Sequence, residues 1–162
     1  MSCEWLPQFY EYPDWNNYAA YEKKLYSFFR AIYILRLMNF KGTILRYRRH
    51  PIIENREELY YHLTCCDYNK EKDRMPDPER IIRIEWTRAF IENYLCYNTC
   101  CNSKPMYWIK KYNTCIKHKI FHNDFLIVIE ERVEYYLLIT GHYINEEYYR
   151  RDLKNEYERN KN

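Results

Sequence analysis

Two glycines, Gly42 and Gly141, serve all 162 residues. A phosphate-cradling P-loop, a dinucleotide-binding fingerprint and a Gly-rich nucleophile elbow each need several positions without a Cβ, which excludes the ATPase, kinase, dehydrogenase and serine-esterase classes built on them. Long apolar runs are equally missing. No stretch approaches the roughly 20 residues of a membrane-spanning helix, and residues 1–30 lack the basic-then-apolar order of a signal peptide. The expectation is a soluble, intracellular chain with no membrane partner. No H-E-x-x-H word occurs, and the carboxylate pairs Glu130-Glu131 and Glu146-Glu147 are adjacent in charged runs, not set opposite one another as in a glycosidase. Neither sign of charge dominates: 26 Lys and Arg against 23 Asp and Glu leave +3, which permits a nucleic-acid partner without demanding one.

Cysteine is present but poorly arranged for chelation. The seven cysteines include the adjacent pairs Cys65-Cys66 and Cys100-Cys101 and no C-x-x-C knuckle. The grouping of Cys96, Cys100 and Cys101 with Cys115 and His118 therefore lacks the spacing of a zinc site. They read as reduced thiols, with no metal and no cofactor expected. What the chain has in abundance is aromatic surface: 20 Tyr, 7 Phe and 4 Trp make 19 % of it. Such side chains build a core from few residues, and the length suits one domain over residues 1–162.

Residues 1–14, with Pro7 and Pro13 among aromatics, read as an extended arm, and Asp14 as a helix cap. Tyr18, Tyr21, Leu25, Phe28, Phe29, Ile32 and Leu35 then recur at helical spacing, which predicts one long amphipathic helix over about 15–36. Gly42 marks a turn before a short strand from Thr43 to Arg49, stopped by His50-Pro51. The alternation in Leu59–Cys66 predicts a strand with Tyr60, His62 and Thr64 on one face. Residues 67–78 carry two Pro and many charges and read as a mobile loop. Residues 79–95 read as a buried strand or turn around 81–86 and a helix beyond. Four β-rich segments, 106–112, 114–120, 125–131 and 135–140, are joined too closely for helical crossovers and predict an antiparallel meander, followed by a charged helix from Asn145. The fold class is α+β: an N-terminal helix, a curved antiparallel sheet and a C-terminal helix.

The residues left for chemistry are His, Arg, Thr and Tyr. Thr140 and His142 share a strand face, with Gly141 between them permitting close approach of a backbone or ligand, and His62 and Thr64 stand in the same two-residue relation. Arginines at 46, 48, 49, 83 and 88 complete the parts of a metal-free ribonuclease: a base for the ribose 2′-hydroxyl, cations for the phosphorane oxygens and an acid for the leaving 5′-oxygen. The same residues also fit a structural histidine, a solvated basic face and a packed aromatic core, so composition and spacing leave both readings open.

The order of words in the chain adds to this. F-K-G, Arg48-Arg49-His50-Pro51, Y-Y-H-L-T at 60–64, R-x-P-D at 74–77, R-I-x-W-x-R at 83–88, DFLIVIEER at 124–132, LLITGHYI at 137–144 and RRDLKNEYE at 150–158 resemble a family of small phage- and prophage-encoded proteins over about residues 28–158. That family is similar in pattern to the barnase, EndoU, colicin and RelE nuclease superfamily. The resemblance implies an antiparallel sheet behind one or two N-terminal helices and a metal-independent endoribonuclease or toxin in the bacterial cytoplasm. Its catalytic set would be His62, Arg83, Arg88, Thr140 and His142, and its substrate contacts Arg48, Arg49, Thr64, Trp86 and Tyr143. His142 stands where the family word T-A-Y has Tyr. The partners implied are RNA and an antitoxin or immunity protein covering the basic face. The rival reading is a non-catalytic relative that binds RNA or a host protein.

Overall fold

The computed structural model describes residues 5–66, 74–96 and 104–161. The arm lies extended along the molecule. Tyr10 N donates to Ile82 O at 2.8 Å, and Pro7 O accepts the Trp86 indole N–H at 3.1 Å. Asp14 caps the next turn by accepting from Asn16 N. A 3₁₀ turn, Trp15–Asn17, leads into α1, Tyr18–Phe29, and the helix continues as a π-turn over Arg30–Ile34. Tyr21, Leu25, Phe29, Ile32 and Tyr33 are its buried stripe, so the predicted helix holds nearly in full.

The strands β1, Met38–Phe40, and β2, Thr43–Tyr47, form a hairpin. Its tip is Lys41-Gly42, both at positive φ (51° and 80°), as a two-residue turn between twisted strands requires. Leu59–Cys66 departs from expectation. Glu58–Thr64 is a helix, α2, and only Cys65–Cys66 is extended, as β3 against β4, Met75–Pro76. The period-2 pattern misled because almost every residue here is buried, so no polar face marks the period. Tyr60 packs its ring against Tyr26 and Phe29 of α1, and Thr64 bonds back to Tyr60 O at 2.7 Å, the i−4 carbonyl of its own helix. Residues two apart on a helix diverge by about 200°, so His62 and Thr64 do not share a face. Residues 67–73, the greater part of the predicted mobile loop, lie outside the described residues.

Asp77 caps α3, Pro78–Ile81, by accepting from Glu79 N; a turn follows, then α4, Trp86–Asn93. The turn reading of 81–86, not the strand reading, is the one observed. The meander is present as β5, Met106–Lys111, β6, Ile116–His122, β7, Phe125–Glu131, and β8, Tyr136–Tyr143, followed by α5, Glu147–Asn160.

The main sheet has the order β1-β2-β8-β7-β6-β5, antiparallel except where β2 joins β8 in parallel. The architecture is therefore α+β with helices at both chain ends, on opposite faces of the sheet. One face carries the larger aromatic core with α1, α2 and α4, including Leu25, Phe29, Tyr60, Phe90, Ile127 and Leu138. The other carries Trp108, Phe121, Leu126, Val128 and Ile144 with Leu153 of α5. Two irregularities of β8 place the site. β2 pairs with it only at Tyr136–Leu138, and α2 and α3 pack against β8 as well. A bulge sets the register Leu138 to Ile129 and Thr140 to Val128, so Thr140 and His142 lie opposite Val128 and Leu126 of the second core and not on the face of Leu138.

Candidate active site

β8 runs on past the end of its short pairing with β2, and α2 packs against it there. His62 comes from α2 and is only 8 % exposed. Thr140 and His142 come from β8, with Thr140 Oγ1 and His142 Nδ1 2.9 Å apart, which fixes the rotation of the imidazole and leaves Nε2 for proton transfer. Arg80 of α3 adjoins His62: its Nη1 donates to His62 O at 2.9 Å and its Nε lies 3.5 Å from Asp77 Oδ2.

The electrostatics tie the group together. Burial holds the His62 imidazole far below its ordinary range, at about 3, and the charges of Arg80, His142, Arg48 and Arg74 push in the same direction. Burial likewise lowers His142 to about 4, with Arg80 as the second cause. Both histidines therefore rest neutral in a field set by arginines. An anion placed beside them would offset the arginines and raise the proton affinity of both rings.

The structure distributes the other sequence candidates as follows. Arg48 bears on His62 from the exposed segment after β2. Arg49 is exposed, its guanidinium 5.5 Å from the Tyr47 ring. Tyr143, next to His142, is sandwiched: Arg83 lies 4.0 Å over its ring, and Arg150 lies 5.4 Å from it and donates to its hydroxyl. Arg83 is itself held by Glu79 at 2.7 Å, so it stands behind Tyr143 as part of the wall. Arg88 is placed elsewhere in the fold: its guanidinium donates to the carbonyls of Ile32, Arg36 and Leu37 and pairs with Glu92, closing the end of the first helical segment. Trp86 belongs to the core, stacked on Phe9 and edge-on to Phe125. Thr64 is fully buried against its own helix.

Sequence reasoning missed Arg80 and Arg74. The signal for Arg80 was in D-P-E-R: Asp77 as cap and Pro78 at the first turn fix where the helix starts, and hence which way a residue three after the cap projects. Arg74 sits in the quoted R-x-P-D word and gains its role from the strand pair it leads into.

A third histidine lies away from these two. His118 on β6 is 1 % exposed, its Nδ1 2.7 Å from Tyr107 Oη and its Nε2 3.0 Å from Glu131 Oε2. Phe40 and Tyr136 meet this ring edge-on, so it is a satisfied core histidine. Among the described residues no three His, Cys, Asp or Glu side chains are placed to hold a metal ion, and Cys100 and Cys101 lie outside them. No described helix is long and apolar enough to cross a membrane.

No protein-family model matches this sequence, no curated protein matches it, and no solved structure matches the fold.

Proposed function

We propose that this protein is a metal-independent endoribonuclease of the phage-borne, host-interfering kind, cleaving RNA by attack of a ribose 2′-hydroxyl on the adjacent phosphorus. The observation that carries this reading is Arg80, bonded to the backbone of His62 and charged close enough to bear on both His62 and His142, which come from elements far apart in the chain. His62 is the base that accepts the 2′-hydroxyl proton. His142, oriented by Thr140 and protonated once the bound phosphate raises its proton affinity, is the acid that donates that proton to the departing 5′-oxygen. The new bond is 2′-oxygen to phosphorus, the broken one phosphorus to 5′-oxygen, and the product carries a 2′,3′-cyclic phosphate. Arg80, Arg74 and Arg48 supply positive charge for the phosphorane oxygens.

The burial of His62 favours a second reading, a protein of the same fold that binds RNA or a host protein without cleaving it. One experiment separates them. Purified protein is incubated with mixed cellular RNA in EDTA beside His62→Gln and His142→Ala, with folding of each variant checked by circular dichroism. The nuclease reading expects cyclic-phosphate ends from wild type and a loss of about 100-fold or more in either variant, the usual scale of a proton-transfer group. RNA bound but uncut by wild type supports the second reading and removes the first. Toxicity on expression, relieved by an acidic partner protein, is the further expectation for a host-interference factor.

A further inference from the structure

The far end of the sheet from His142 carries a concentration of cations around an exposed ring. β5 ends in Lys110 and Lys111, Tyr112 follows at the turn, and β6 returns with Lys117 and Lys119. Register sets Lys110 directly opposite Lys117, a like-charge pair that costs stability in a sheet. The ammonium groups of Lys110, Lys117 and Lys119 stand 5.1, 5.3 and 5.9 Å from the centre of the Tyr112 ring, which is 39 % exposed.

The nearby carboxylates are already engaged, Glu131 at the rim of the hollow under the β5–β6 turn with His118 Nε2 at 3.0 Å. Glu156 of α5 takes Lys110 at 3.0 Å and Lys119 at 2.7 Å, one carboxylate for two ammonium groups. Glu130, the register neighbour of Lys117 on β7, pairs with Arg132 at 2.9 Å. Lys111 is exposed and lies between two hollows. One of about 500 Å³ runs to Asn160 and Lys161 at the end of α5, and one of about 480 Å³ runs under the β5–β6 turn to Arg132. Both volumes fall within the roughly 300–1,000 Å³ typical of small-ligand sites.

We infer that this end of the sheet is a binding surface for single-stranded RNA, with Tyr112 stacking a base and Lys111 and Lys117 holding the backbone phosphates. The inference rests on the ribonuclease reading for its ligand. It assigns the surface to nucleotides flanking the cleaved bond. Every base offers a π-face and every linkage a negative charge, so an aromatic ring ringed by cations tracks a single strand without reading its sequence. Counted along β7 and across the strands, the surface lies roughly 20 Å from His142. A dinucleotide at the histidines does not span that distance, whereas an oligonucleotide does.

The test uses the full chain and two probes: a fluorescein-labelled 12-nucleotide RNA made uncleavable by 2′-O-methylation, followed by anisotropy over a range of salt, and a cleavable dinucleotide. Lys111→Glu combined with Lys117→Glu is expected to weaken oligonucleotide binding at least tenfold and to flatten the dependence of log K on log salt by about 1.4, at about 0.7 for each phosphate no longer neutralised. Tyr112→Ala is expected to weaken it about tenfold. Dinucleotide cleavage is expected to stay at the wild-type rate in both variants. If Lys117→Glu does not fold, Lys111→Gln at its exposed position carries the measurement, with a slope change of about 0.7. Unchanged oligonucleotide affinity in these variants overturns the inference, as does salt-independent binding by wild type. Loss of oligonucleotide binding in the variants while wild type cleaves nothing leaves the surface standing and removes the ribonuclease reading instead.

Discussion

A single hydrogen atom decides much at Gly141. A Cβ built there would lie 2.2 Å from Thr87 Oγ1 and 3.0 Å from Ile127 Cδ1, because α4 crosses β8 at this point. The close approach anticipated for this glycine is therefore occupied, and by the protein itself. Gly141→Ala is expected to cost about 1–3 kcal/mol in urea unfolding, as overpacking of a tight contact does. Thr87→Ala in the same chain should recover part of that loss, so a double-mutant cycle that came out additive would contradict this contact. Arg88 offers the complementary case of a cation that sequence assigned to phosphate and the fold assigns to peptide carbonyls. Arg88→Gln is expected to lose about 1.5–3 kcal/mol of stability, the scale of charged hydrogen bonds to carbonyls. RNA cleavage by the folded fraction should be unchanged, and a selective fall in cleavage rate at full stability would return Arg88 to the site.

Among the elements, α5 is attached by chemistry that its own sequence only half displays. Its charged residues suggest a solvated helix, yet Leu153 is buried and Glu156 accepts from Trp108 Nε1 at 2.9 Å and from two lysines. These donors outweigh the effect of burial and hold the Glu156 carboxyl down at about 2. A folded-state value below the unfolded one stabilises the protein above the unfolded value of about 4.5, and that contribution is lost as pH falls from there towards 2. Glu156→Gln should thus be less stable than wild type at pH 7, with the gap narrowing below pH 4.5, as urea midpoints across that range would show. A gap independent of pH would mean that the lysines do not carry the attachment.

The elements also show what was legible in the sequence. The first helix was readable because it has one wet and one buried side, which imprints a period, and the hairpin turn at Gly42 and the meander because turn residues punctuate short β-rich runs, even though β7 is buried on both faces. α2 was not, because Leu59, Tyr60, Leu63 and Thr64 are all buried and leave no polar stripe to count. The site was legible in proportion. His62, Thr140 and His142 could be named from residue type, but α2 removed Thr64 from their company, and Arg80 became visible only once a cap fixed the start of α3.

At the scale of the whole molecule, the sheet is completed by a join that local pattern cannot announce. β5 to β8 are hairpin neighbours, whereas β2 finds β8 only after everything between them has been made. Loop-closure entropy places such a parallel, long-range pairing late in folding. Pulse-labelled hydrogen exchange during refolding is expected to protect β6 and β7 before Leu45–Tyr47. Simultaneous protection of both would argue for a single concerted nucleus instead.

That order has a consequence for a chain emerging from a ribosome. His62 is translated long before the strand that carries His142, and with β8 still in the exit tunnel neither the sheet edge nor the paired imidazoles can exist. On the proposed ribonuclease reading, a chain assembled this way keeps its two histidines apart until β8 is free, so the timing of synthesis itself delays activity.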